Sequence, residues 1–146
     1  MKTILLVIAV ILSSSSVMAA CPNLTGSYKC STRRTKEEKV KITQKKLPNG
    51  TTQYAIDAYD SIIADGIQRA IAATKEIKDI QYVATCTQDS SLKLRVRGRA
   101  VKNGLGLGKA ELEALITLTA TRDLKVQISG AIMEIPATDE GLCTRL

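Results

Sequence analysis

Over most of residues 38–130 apolar and polar side chains alternate, the period of two that sends successive residues to opposite faces of a strand. Val40, Ile42, Tyr54, Ile56 and Ala58 fall on even positions, with Lys39, Lys41, Lys45, Gln53 and Asp57 between them. Leu47-Pro48-Asn49-Gly50 supplies a turn, the proline setting φ and Asn-Gly tolerating positive φ. Pairing Ile42 with Tyr54 and Val40 with Ile56 gathers the apolar residues on one face. A second hairpin sets Tyr82, Ala84 and Cys86 against Val96, Leu94 and Leu92 across the turn Gln88-Asp89-Ser90-Ser91. In a third, Leu112, Ala114, Ile116, Leu118 and Ala120 alternate with Glu111, Glu113, Thr117 and Thr119, and Leu124, Val126 and Ile128 return after Thr121-Arg122-Asp123. Gly130 breaks the alternation and predicts a bulge, and Pro136 predicts the end of the last strand.

One segment has a different period. Ile67, Ala70, Ile71 and Ile77 recur at helical spacing, with Asp65 as a cap, which predicts a short helix within 66–78. The same residues permit a second description, a hairpin turn at Asp65-Gly66 followed by alternating Ile67, Arg69 and Ile71. Taken together, the pattern predicts an all-β protein: an antiparallel up-and-down meander of about eight strands closing into a barrel, or a two-sheet sandwich, in a single domain over 20–146.

The first residues belong to a different physical class. Lys2, the aliphatic run Ile4 to Leu12, Ser13 to Ser16 and Val17-Met18-Ala19 have the three parts of a secretory leader over 1–19, with cleavage expected after Ala19 or Ala20. The run is far short of the roughly 20 apolar residues a membrane span requires, so no transmembrane span is expected. Met18-Ala19-Ala20-Cys21 also loosely matches a lipobox, which would anchor the protein through an acylated Cys21. Cysteine parity favours the soluble alternative. Cys21, Cys30, Cys86 and Cys143 all follow the leader, and four cysteines in an oxidising compartment form two disulfides. A secreted or periplasmic location follows.

Composition narrows the chemistry. The chain has no His, Trp or Phe and only four Tyr, so aliphatic packing must build the core, and the commonest general base and metal ligand is missing. With the thiols committed to disulfides, neither a thiolate nucleophile nor a zinc cluster is expected, and no cofactor motif is present. Glu111 and Glu113 share one strand face and form the one carboxylate pair suited to acid and base work. Folding Lys93 to Ala100 against Ala110 to Ala120 sets Arg97 and Arg99 opposite or diagonal to them, so ion pairing is the better expectation and the protein is expected not to be an enzyme. Gly104-Leu105-Gly106-Leu107-Gly108-Lys109 lacks both the glycine spacing and the Ser or Thr of a phosphate loop, and reads as a hairpin loop.

Gly26-Ser27-Tyr28 resembles the G-x-W opening of lipocalins, with Tyr in the place of Trp, and Cys86 and Cys143 resemble their disulfide between barrel and C-terminal segment. That resemblance implies a calycin-like barrel over most of the chain after the leader and the carriage of a ligand. With Cys86 joined to Cys143, the remaining pair is Cys21 with Cys30.

Two faces are candidates for binding. The inward residues, among them Tyr28, Tyr54 and Tyr82, either line a pocket for a small hydrophobic ligand or fill it; Ala84, Ala100, Ala114 and Ala120 leave room, but a filled core is slightly favoured. On the outside, Lys93, Arg95, Arg97 and Arg99 project together, and Arg33, Arg34, Lys36, Lys39, Lys41, Lys45 and Lys46 form a second basic set in a chain of net charge +7. Such cations suit an anionic envelope polymer or lipid. A solvated face neutralised by Glu111, Glu113 and Asp57 is the favoured account, and the lack of interleaved aromatics argues against specific nucleic-acid binding. The functional expectation is an exported, non-enzymatic binding protein. Its alternatives are an inhibitor of a secreted hydrolase using the loop Asn103 to Gly108, or a structural envelope protein.

Overall fold

A computed structural model describes residues 19–33, 36–57 and 60–146. The leader residues 1–18, and with them the cleavage motif up to Met18, lie outside the described residues, as do Arg34 and Ala58. Ten strands follow one another: β1 (Gly26–Thr32), β2 (Glu38–Lys46), β3 (Thr52–Ile56), β4 (Ile62–Ala64), β5 (Arg69–Ala70), β6 (Ile77–Cys86), β7 (Ser91–Lys102), β8 (Leu105–Leu118), β9 (Leu124–Ile132) and β10 (Ile135–Arg145). They form one antiparallel sheet in the order β4-β3-β2-β1-β10-β9-β8-β7-β6-β5. The expected all-β meander is present, with ten strands in place of about eight. It consists of two runs, β1 to β4 and β5 to β10, joined at a seam between the first strand and the last.

The sheet curls strongly into a half-barrel and stays open between β4 and β5. Both edge strands are short, two or three residues, which limits the unpaired backbone they present. The curl nevertheless brings the two ends within hydrogen-bonding reach. The Gly66 amide donates to the Ala84 carbonyl at 2.9 Å, and the Ile63 amide donates to the Tyr82 hydroxyl at 3.2 Å.

Several expectations require correction. No helix occupies 66–78: Gly66 takes positive φ (76°), β5 pairs with β6, and Ile67, which the helical stripe would bury, is 58% exposed. The second hairpin has the expected register, Tyr82 opposite Val96 and Cys86 opposite Leu92. The first is shifted by two, with Ile42 opposite Ile56 and Gln44 opposite Tyr54. Its turn spans Leu47 to Thr51, closed by the Leu47 amide donating to the Thr51 carbonyl at 2.8 Å.

Gly130 makes no bulge. The β8–β9 register runs unbroken past it, and the glycine is needed because a side chain there would strike the Glu111 carbonyl oxygen. Pro136 does not end the sheet but lies near the start of β10, after a tight turn at Met133 and Glu134, both at positive φ. The supposed loop Asn103 to Gly108 is mostly strand. Asn103 and Gly104 alone turn the chain, at φ 51° and 79°.

The disulfides are Cys21–Cys86 and Cys30–Cys143, not the expected pairing. Cys30 and Cys143 are partners across the β1–β10 seam. Cys86, on β6, lies four strand positions from Cys143 in the sheet and is instead bonded to Cys21, their Cα atoms 5.0 Å apart. Cys21 in turn is separated from Cys30 by the extended start of β1, at about 3.3 Å per residue.

The core lies at one end of the concave face. Leu24, Tyr28, Ile42, Tyr54, Tyr82, Ala84, Leu92, Leu124 and Cys143 form one buried cluster. Its inner layer is the segment before β1. Pro22 and Leu24 are buried against the sheet, held by the Tyr54 hydroxyl donating to the Pro22 carbonyl (2.8 Å) and the Tyr28 hydroxyl donating to that of Leu24 (3.0 Å). Cys21–Cys86 fastens the same segment to β6. The N-terminal segment thus acts as a stopper in the half-barrel.

Candidate functional site

Past the stopper the concave face remains apolar but loses its cover. Even-numbered residues of β7 point inward from Leu92 to Ala100; Leu92 is buried, while Leu94 and Val96 are half-buried. Ile56 from β3 and Ile62 from β4 face them across the curl, and Ile80 and Tyr82 from β6 form the floor. Together with Ile71 they line a groove of about 650 Å³, inside the range of roughly 300–1,000 Å³ usual for small-ligand sites.

One wall is a strap, the chain between β4 and β6. A two-pronged ion pair, Arg69 to both carboxylate oxygens of Asp65 at 2.6 Å, fixes its first turn. The Arg69 guanidinium beside Asp65 holds that carboxyl below its usual range. Further on, the Ile71 amide donates to the Ile80 carbonyl (3.0 Å) and the Ala72 amide to Asp60 (3.0 Å). Asp60, Thr74 and Tyr82 bring polar groups to the groove, and the Thr74 hydroxyl is occupied in accepting the Ile77 amide (2.9 Å). The site is therefore an aliphatic trough with one carboxylate at its margin.

The three tyrosines have different positions. Tyr28 and Tyr54 lie at the stoppered end, fully buried, each hydroxyl donating to the stopper; burial pushes the Tyr54 phenol up to about 12. Tyr82 alone reaches the groove, its hydroxyl donating to the Ser61 carbonyl at 3.4 Å and accepting the Ile63 amide. All four cysteines are in disulfides, and none provides a thiol to the groove.

Lys93, Arg95, Arg97 and Arg99 of the basic strand face the opposite, convex side, and each of these four cations has an acidic partner. Lys93 and Arg95 share Glu113 at 3.0 and 3.3 Å, Arg97 meets Glu111 at 3.1 Å, and Arg99 meets Asp79 at 2.8 Å. Lys93 foremost, with Arg95, holds the Glu113 carboxyl below its usual range. The glutamates are thus committed to cations on an open surface. Asp79, absent from the sequence reading, is brought there by an irregularity in β6 between Lys78 and Gln81. Ile62, Ile71, Ile80 and Asp60 were also missed as groove residues. Of these only Ile71 had a signal in the sequence, the alternating description of Ile67, Arg69 and Ile71, which a helical reading displaces.

Among the described residues no helix is long and apolar enough to cross a membrane. Comparison with protein-family models, with curated proteins and with solved structures yields no match.

Proposed function

We propose that the protein is a non-enzymatic carrier, or receptor, for a small aliphatic ligand lying in the open half of the concave face. The observation behind this reading is the groove itself: continuous aliphatic lining that the fold neither fills nor covers, next to an end of the same face that it does both to. The calycin-like resemblance at Gly26-Ser27-Tyr28 points the same way, since a curled antiparallel sheet with an apolar interior suits ligand carriage. Two disulfides support an oxidising compartment outside the cytoplasm, in keeping with the leader-like residues 1–19.

Saturable binding of a series of fatty acids, followed by displacement of a fluorescent acyl probe, tests the reading. Each added methylene buried in the trough strengthens binding by up to about 0.8 kcal/mol, roughly fourfold, until the groove is full. Val96→Asp places a charge on the groove wall and is expected to abolish binding while leaving the circular dichroism spectrum unchanged. Affinity independent of chain length, or unaffected by that substitution, would sink the proposal.

A further inference from the structure

Two outward rows of cations, on β7 and on β2, differ in how far they are neutralised. On β2 every second residue faces outward: Lys39, Lys41, Thr43 and Lys45, all exposed. None of the three lysines makes an ion pair among the described residues. Lys39 stands directly opposite Lys29 on β1, a like-charge register that is unfavourable in itself. Lys29 is relieved by Glu37 at 2.7 Å, which leaves Lys39 without a partner. Lys41 is opposite Ser27, and Lys45 is opposite Gln53. Asp57 touches this row through its backbone, its amide donating to the Lys41 carbonyl at 3.0 Å, and its carboxylate makes no ion pair.

We infer that the outward lysines of β2, Lys39, Lys41 and Lys45, form a contact site for a linear polyanion bearing sulfate or phosphate groups. The geometry favours a linear ligand. At about 3.3 Å per residue Lys39 and Lys41 are about 7 Å apart and Lys41 and Lys45 about 13 Å apart, so the three ammonium groups form a row along one axis on a convex surface. Each is a mobile point charge suited to a single anionic oxygen cluster, not to planar bidentate recognition. Apart from Lys29 with its partner Glu37, and Asp57, the neighbouring outward side chains Ser27, Thr43, Gln53 and Ala55 are small or uncharged; none of these offers an aromatic face for a base or a bulky apolar group to enter a bilayer. On β7, by contrast, a polyanion would first have to displace Glu111, Glu113 and Asp79.

Binding to heparin and to inorganic polyphosphate, measured at several salt concentrations, tests the inference and identifies the anionic group by which polymer binds tighter. Lys39→Gln/Lys41→Gln/Lys45→Gln is expected to weaken binding at least tenfold and to reduce the slope of log affinity against log salt by about 2 to 3, one counterion release per lost contact. Arg95→Gln/Arg97→Gln is expected to leave both unchanged. The inference is overturned if the two variants lose affinity equally, if the triple variant binds like the parent, or if the protein binds phosphatidylglycerol vesicles while ignoring both soluble polymers. An unchanged far-UV circular dichroism spectrum and urea midpoint serve as the check that the variants remain folded, independent of whether the groove binds a ligand.

Discussion

On β7, Leu92 is sealed from solvent, whereas Leu94 and Val96, two and four residues along the same face, are half open; on β9, Leu124 is sealed and Val126 and Ile128 are not. The residue types, the sheet and the curl are the same at both ends. What differs is the second layer. At one end Pro22 and Leu24 lie over the sheet, tied by two tyrosine hydroxyls and a disulfide, and at the other nothing in the described chain does so. Period-two patterning specifies which face is apolar, but burial requires something to lie against that face. In this protein five residues before β1 determine where core ends and groove begins.

The severest way to break the contrast is to cut the bonds at the closed end. Cys30→Ala/Cys143→Ala opens a loop of 113 residues and is expected to cost about 4 to 5 kcal/mol in the chain-entropy description, read as a shift in the urea midpoint. Next comes a matched pair of truncations. Leu24→Ala leaves a cavity in the closed end and should cost about 2 to 5 kcal/mol, whereas Val96→Ala, on the open wall, should cost about 1 kcal/mol or less. Equal losses would mean that the two ends are packed alike.

A change at the closed end sharpens the comparison by pH. Tyr54→Phe removes the donor to the Pro22 carbonyl and should cost about 1 to 3 kcal/mol at neutral pH. Because burial raises this phenol from about 10 in the unfolded chain to about 12, its contribution is complete below about pH 10 and declines as pH rises toward 12. Alkaline unfolding followed by phenolate absorbance should show that decline in the parent and a weaker one in the variant.

Much of the sheet was legible from residues because alternation is local. The turn from Cys86 to Leu92 is short enough to fix the register of Tyr82 with Val96, and the structure keeps it. The β2–β3 register was ambiguous for a physical reason: a slip of two leaves every side chain on its own face, so apolar pattern cannot distinguish Ile42 opposite Tyr54 from Ile42 opposite Ile56. β10 escaped notice because its inward positions include Ala137, Asp139 and Gly141, partners of Gly130, Ile128 and Val126, and lack the aliphatic alternation of the other strands. Groove and disulfides depend on which strands meet across the curl. Ile62 and Ile71 were visibly apolar, but nothing local announces that they face Leu94 and Val96. In the same way, Cys30 has no local signal that selects a partner 113 residues away.

The seam between β1 and β10 also has a consequence in time. A ribosome delivers β1 first and its partner β10 last, so the first strand waits through the synthesis of the whole domain with β2 as its only neighbour. During that wait Cys143 is not yet made, so Cys30 is without its native partner and open to thiol exchange with other cysteines until β10 arrives. Whatever delays the last strand, a stalled chain or a bulky C-terminal fusion, prolongs the period in which β1 offers a bare edge to other chains.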